Sequence, residues 1–196
     1  MLDTAHPAPR TFQKRFYTPR TFLRDLRDVL AHIPAFRDTV RRGQVSRAFA
    51  EKVMMAVTQV NGCRYCAYFH SQMALREGVP PDEIERLLAW ELGGFAEEEA
   101  VALAFAQHWA ETGGQPDPEA EQRFRDYYGA EVSADIVNWM RMINVGNLAG
   151  NAVDAFLCRL RGAPAEGSSF MGELLLFVLC APFTLPLLGR IRRAQG

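Results

Sequence analysis

An all-α fold is the expectation, and two features of the sequence carry it. Apolar residues recur at three- and four-residue spacing along most of the chain, as in Phe22, Leu23, Leu26, Val29 and Leu30. No run alternates apolar and polar residues between turn signals, so no strand pattern competes.

The elements follow in order. Residues 1–20 hold Pro7, Pro9 and Pro19 among basic and aromatic residues and read as an N-terminal arm, with Phe12, Phe16 and Tyr17 as its docking groups. A first helix starts at Thr21 and is expected to stop at Pro34, leaving a short segment, Ala35 to Arg42, before Gly43. Ser46 caps a second helix whose apolar face is Phe49, Val53, Met54, Val57 and Val60, and Asn61-Gly62 ends it. A third helix opens near Cys63 and stops at Gly78. Pro80-Pro81-Asp82 opens a fourth, which carries Trp90 and closes at Gly93-Gly94. Glu97-Glu98-Glu99 begins a fifth, where three acids suit the positive end of the helix dipole. A segment from Pro118 to Tyr128 precedes a long helix with Ser133 as its expected cap. In that helix Gly146 and Gly150 would let another helix come close.

Ala163 to Ser169 reads as a linker of small and polar residues. The apolar run after it, Leu174 to Leu188, is shorter than a bilayer span usually needs and contains Pro182 and Pro186. Packing on its own core or at a subunit interface is the first reading. Peripheral membrane contact is the second, because Arg190, Arg192 and Arg193 follow directly. The chain therefore divides into an arm (1–20), a helical domain (21–162, with its core at 46–92) and an apolar C-terminal extension (163–196).

At 196 residues with 48% hydrophobic content, one such domain can bury a core without covalent staples. Four cysteines, two of them isolated, do not form a secreted disulfide framework, and no signal-peptide pattern opens the chain. A cytoplasmic location is expected. Residues 48–136 carry six Lys/Arg against sixteen Asp/Glu, and an acidic body argues against nucleic acid as partner.

The chemistry concentrates in Gly62-Cys63-Arg64-Tyr65-Cys66-Ala67-Tyr68-Phe69-His70. On a helix, Cys63, Cys66 and His70 share one stripe, at i, i+3 and i+7. Zinc would find three ligands on one helix and want a fourth, and haem attachment needs histidine where Ala67 stands. No metal site is expected. A redox dithiol fits better. A helix start lowers a thiol pKa, and cysteines at i and i+3 can reach each other. His70 can take a thiol proton, and Glu51, twelve residues before Cys63, can orient His70 or accept that proton.

Glu51, then Asn61-Gly62-Cys63-Arg64-Tyr65-Cys66, then His70 resembles the alkylhydroperoxidase D (AhpD)-like branch of the carboxymuconolactone decarboxylase superfamily. Arg47 to Val57 before it and Gly78-Val-Pro-Pro-Asp-Glu-Ile after it match that layout. The resemblance implies an all-α AhpD-like fold, a homo-oligomer (trimer or hexamer), and reduction of hydroperoxides through a dithiol/disulfide cycle. It makes Cys66 the peroxidatic cysteine, Cys63 its disulfide partner, and Glu51 and His70 the proton relay. No bound cofactor is implied; an external lipoyl or thioredoxin-like dithiol protein would supply electrons. Tyr65 stands where the best-characterised member has a relay histidine, and Tyr65 and Phe69 are candidates for the substrate pocket. Two alternatives stand beside this reading: a decarboxylase-type enzyme acting on a lactone acid, and a non-peroxidatic redox-sensing or interaction module. His108 is expected in the core or an interface, and His32 at a helix end.

Overall fold

The computed structural model describes residues 12–194. It contains α1 (Pro19–Arg42), α2 (Arg47–Asn61), α3 (Arg64–Arg76), α4 (Pro81–Leu88), α5 (Glu97–Glu111), α6 (Pro118–Arg159) and α7 (Phe170–Ala194). Among the described residues the β-type pairing is one isolated bridge between Phe12 and Ala165, so the fold is all-α.

The core forms around α2, whose middle turns are buried on every side. Ala50, Val53, Met54 and Val57 share one apolar cluster with Leu103 and Trp109 of α5 and Ile136 and Met140 of α6. Ser46 caps α2 by accepting the Phe49 N–H at 3.2 Å. Even the lysine of α2 is inside: Lys52 Nζ sits 2.5 Å from Glu83 and 2.8 Å from Glu99. Those carboxylates lie in the first turns of α4 and α5, so one buried cation ties three helices together. It also gives Glu99 a structural role.

The seam between α2 and α6 is polar. Thr58 donates to Asn147 Oδ1 at 3.0 Å, and Asn61 Nδ2 donates to Asn144 Oδ1 at 3.0 Å. Asn151 Nδ2 reaches the carbonyls of Asn61 (2.7 Å) and Arg15 (2.8 Å). Asn151 therefore fixes both the end of α2 and the path of the arm. Tyr17 is buried beside Leu148 and Leu176. Residues 1–11 of the expected arm lie outside the described residues.

Three element boundaries differ from expectation. Pro34 does not stop α1, which runs through it for 24 residues to an αL cap at Gly43. Proline removes one backbone bond, to the carbonyl of Leu30, and Leu30 is exposed to water that can replace it. Ser133 is not an N-cap: its hydroxyl donates to Ala130 O at 3.1 Å inside a helical turn. The break lies at Gly129, where φ 76 and ψ 163 fall in a region open essentially to glycine. Helix α4 ends at Leu88 rather than at Gly93, and Trp90 turns outward with φ 64.

Helix α7 likewise continues through Pro182 and Pro186. Its stretch Phe170–Ile191, of 22 residues and mean hydropathy 2.0, is long and apolar enough to cross a membrane by length and composition. Its inner face nevertheless packs on α6 and α3. Leu176 and Ala181 are buried, and the Phe177 ring lies 4.7 Å from that of Phe156. Glu173, buried at its start, accepts from Arg159 Nε at 2.6 Å. The outer face leaves Met171 and Val178 exposed.

Candidate active site

Helix α2 ends at Gly62, whose φ of 67 terminates it in the left-handed conformation and lets α3 begin at once. Cys63 thereby becomes the N-cap of α3, where serine or aspartate is usual, and its Sγ accepts the Cys66 N–H at 3.4 Å. Cys66 occupies the third helical position. The two sulfurs lie 2.9 Å apart, well beyond the ~2.05 Å of a disulfide bond, and both thiols are free.

Helix α6 supplies the seat for this pair. A Cβ at Gly150 would sit 2.7 Å from Cys63 Sγ and 3.2 Å from Tyr65 Cδ2, and one at Gly146 would sit 4.0 Å from Cys66 Sγ. The close approach foreseen for these glycines is made by the thiols themselves. Asp154, one turn beyond, clamps the start of α3. It accepts from the Tyr65 hydroxyl at 2.7 Å and from Arg64 at 2.6 and 3.1 Å, with Lys14 of the arm at 3.4 Å. Burial and the neighbouring carboxylate push the Tyr65 hydroxyl pKa far up, so it stays a donor. Tyr65 acts as a latch holding the dithiol against α6.

The environment splits the thiols. The S–H of Cys66 and the N–H groups of Cys66 and Tyr65 point at Cys63 and hold its pKa below the ordinary thiol value, against the opposing effect of burial. Cys66 donates that hydrogen bond, lacks such donors of its own and is desolvated, so its pKa is pushed well up. Cys63 is therefore the more acidic thiol of the pair. Access runs the other way: Cys63 is fully buried, whereas Cys66 is partly exposed.

His70 lies one turn beyond Cys66, with Nδ1 2.6 Å from Glu51 Oε2. A carboxylate only accepts, so Nδ1 carries the hydrogen and Nε2 is left to work as a base. Glu51 is buried, with the guanidinium of Arg47 at 3.6 Å from its other oxygen.

Cys66 and His70 open onto a cleft of about 700 Å³. Phe69 and Tyr65 of α3 also line it, as do Leu23 and Leu26 of α1, Gly146 and Ala149 of α6, and Leu179, Phe183 and Leu187 of α7. The structure thus brings Glu51, Cys63, Cys66 and His70 together and sets Tyr65 and Phe69 on the cleft wall. His108 is a surface residue paired with Asp117 at 2.9 Å, not a core group, and His32 sits inside α1 with Nδ1 2.7 Å from Asp28 O. Among the described residues no cluster of three or more His, Cys, Asp or Glu is placed to hold a metal.

Asp154, Cys180 and the walls from α1 and α7 went unmarked in the sequence. The signal for Asp154 was present: it interrupts an apolar run between Val153 and Ala155. Cys180 also lines the cleft, and burial raises its pKa.

Residues 27–108 match the model of the carboxymuconolactone decarboxylase family. Over 109 residues the chain is 29% identical to the uncharacterized protein YdfG of Bacillus subtilis (strain 168), covering 55% of this chain and 74% of that one. No solved structure matches the chain. The family match holds Glu51, both cysteines and His70, whereas Gly150, Asp154 and α7 lie beyond it.

Two expectations test this geometry. Gly150→Ala should destabilise the protein by about 1–3 kcal/mol in urea unfolding, because the methyl overlaps Cys63 Sγ, whereas Gly146→Ala should cost under about 1 kcal/mol. In a thiolate titration by ultraviolet absorbance, the first thiol proton should leave below the ordinary value of about 8.5 and the second well above it. In Cys66→Ala the Cys63 thiol should titrate higher than in the parent, since the side-chain hydrogen bond that lowers it is gone.

Proposed function

We propose that this chain, whose residues 27–108 match the model of the carboxymuconolactone decarboxylase family, is a thiol-dependent peroxidase that reduces organic hydroperoxides through Cys63 and Cys66. The observation that carries this reading is a reduced sulfur pair at 2.9 Å whose outer member shares a cleft with the Glu51-paired His70.

The cycle runs as follows. A hydroperoxide in the cleft meets Cys66 first, because Cys63 is covered. Cys66 passes its proton to the Cys63 thiolate across the 2.9 Å contact, or to His70. The Cys66 sulfur then attacks the terminal peroxide oxygen. An S–O bond forms, the O–O bond breaks, and the alkoxide takes up that proton and leaves as an alcohol. Cys63 attacks the resulting sulfenic acid, forming the disulfide as hydroxide leaves with a proton as water. An external dithiol protein, lipoyl-bearing or thioredoxin-like, reduces the disulfide by exchange and is itself oxidised. Glu51 holds the imidazole in one tautomer and stabilises it when it is protonated. The apolar surface of α1 suits assembly into a homo-oligomer of trimer or hexamer type, with Leu30, Ile33 and Val40 exposed.

A decarboxylase-type reaction is the second reading, favoured by the family name and by the Glu51–His70 pair as a base. Against it, among the described residues no Lys or Arg lines the cleft to hold the carboxylate of a lactone acid.

Stopped-flow oxidation of the reduced protein by an organic hydroperoxide separates the two. Cys66→Ser should abolish the fast phase. Cys63→Ser should stop at a sulfenic acid that dimedone traps, and His70→Ala should slow the reaction by roughly 10²–10⁴. Oxidation of Cys66→Ser at the parent rate would refute the assignment, and turnover of a lactone acid by a variant lacking both thiols would establish the second reading.

A further inference from the structure

The cleft in front of Cys66 is built mainly by parts of the chain outside the family-matched range. Of its fifteen lining residues, Tyr65, Cys66, Phe69 and His70 fall within 27–108, and the other eleven come from the start of α1, from α6 and from α7. The thiols and the histidine of the α2–α3 pair thus face a wall built by other parts of the chain.

That wall is apolar. Phe22, Leu23 and Leu26 face it from α1, and Leu179, Phe183 and Leu187 from α7. The hydroxyl of Thr184 is taken up by Cys180 O at 3.2 Å, so it offers no donor to a ligand. The polar groups left to a ligand sit at one end, on Cys66 and His70. Away from them the rim is itself apolar, with Leu23, Leu179 and Phe183 exposed. A cleft of about 700 Å³ falls in the range of ligand pockets, and water filling such a space would lack hydrogen-bond partners. Among the described residues no Lys or Arg lines it. Arg64 and Lys14 are bound to Asp154, Arg47 is paired with Glu51, and the Glu51 carboxylate behind His70 disfavours an anion.

We propose that α1 and α7 form a binding site for an uncharged, long-chain apolar ligand, with its polar head at Cys66 and His70 and its chain along Leu26, Leu187 and Leu179 to the rim. On the peroxidase reading, on which this assignment of substrate class rests, the ligand is a long-chain alkyl hydroperoxide and the product the matching alcohol. The alkyl-chain recognition would be a property of α1 and the C-terminal extension together.

The test uses the full-length reduced protein and straight-chain primary alcohols from butanol to decanol, which are redox-inert product analogues, with binding read by calorimetry. The association constant should rise about threefold with each added methylene, as burial in an apolar wall requires. Phe183→Asp, at the rim, should weaken decanol binding by about tenfold or more, since it places a charge beside the buried chain. Val178→Asp, exposed on α7 but not lining the cleft, should leave it unchanged. Affinities that do not change with chain length would overturn the proposal, as would equal losses in both variants, which mean adsorption to the outer face of α7. If the alcohols bind as expected but decyl hydroperoxide does not oxidise the dithiol, the site stands and the peroxidase reading falls.

Discussion

The seating of the Cys63 sulfur on the bare backbone of Gly150 is the contact on which the rest of the site depends. A side chain at 150 would stand 2.7 Å from that sulfur, so only glycine lets the start of α3 come this near α6. The approach makes Cys63 an N-cap buried from water, and burial makes each backbone N–H aimed at it count for more. It also carries the Tyr65 hydroxyl to Asp154, which locks the same turn from the other side. Asymmetry in a pair of identical groups follows. One sulfur is covered and is the more acidic of the two, and the other is the less acidic and opens to the cleft.

The remaining helices keep that turn in place. The polar seam of Asn144, Asn147 and Asn151 fixes where α2 ends, and so where Cys63 begins α3. Lys52 pins the opposite face of α2 to α4 and α5 through Glu83 and Glu99. Glu51, its sequence neighbour, faces His70 instead. Adjacent residues on one buried helix thus serve stability and chemistry separately, because a helix turns about 100° between them.

Much of this was legible in the sequence. The spacing of Cys63, Cys66 and His70 and the stop at Gly62 are local signals, and local signals survive folding. Glu51 was found because a known family arrangement links it to the cysteines; nothing in α2 alone distinguishes it from a solvated charge at a helix start. The second role of Tyr65, as a latch, could not be read from its position between the cysteines, because it depends on Asp154, 89 residues away. The cleft was illegible for the same reason. Period and composition show that α7 is apolar but not which surface it covers, and proline rules misjudged α1 and α7, where exposed or packed turns tolerate the lost bond. Ser133 misled because the true break, at Gly129, carries no capping residue of its own.

The account turns on one claim: that Cys63 and Cys66 are a working redox pair and not two thiols packed for structure. Mass mapping of the peptide carrying both residues, after one equivalent of an organic hydroperoxide, tests it most directly. The account predicts the loss of two hydrogens from that peptide, restored by a dithiol, with Cys158 and Cys180 unchanged. An unaltered peptide, or oxygen added to Cys158 or Cys180 instead, would contradict it.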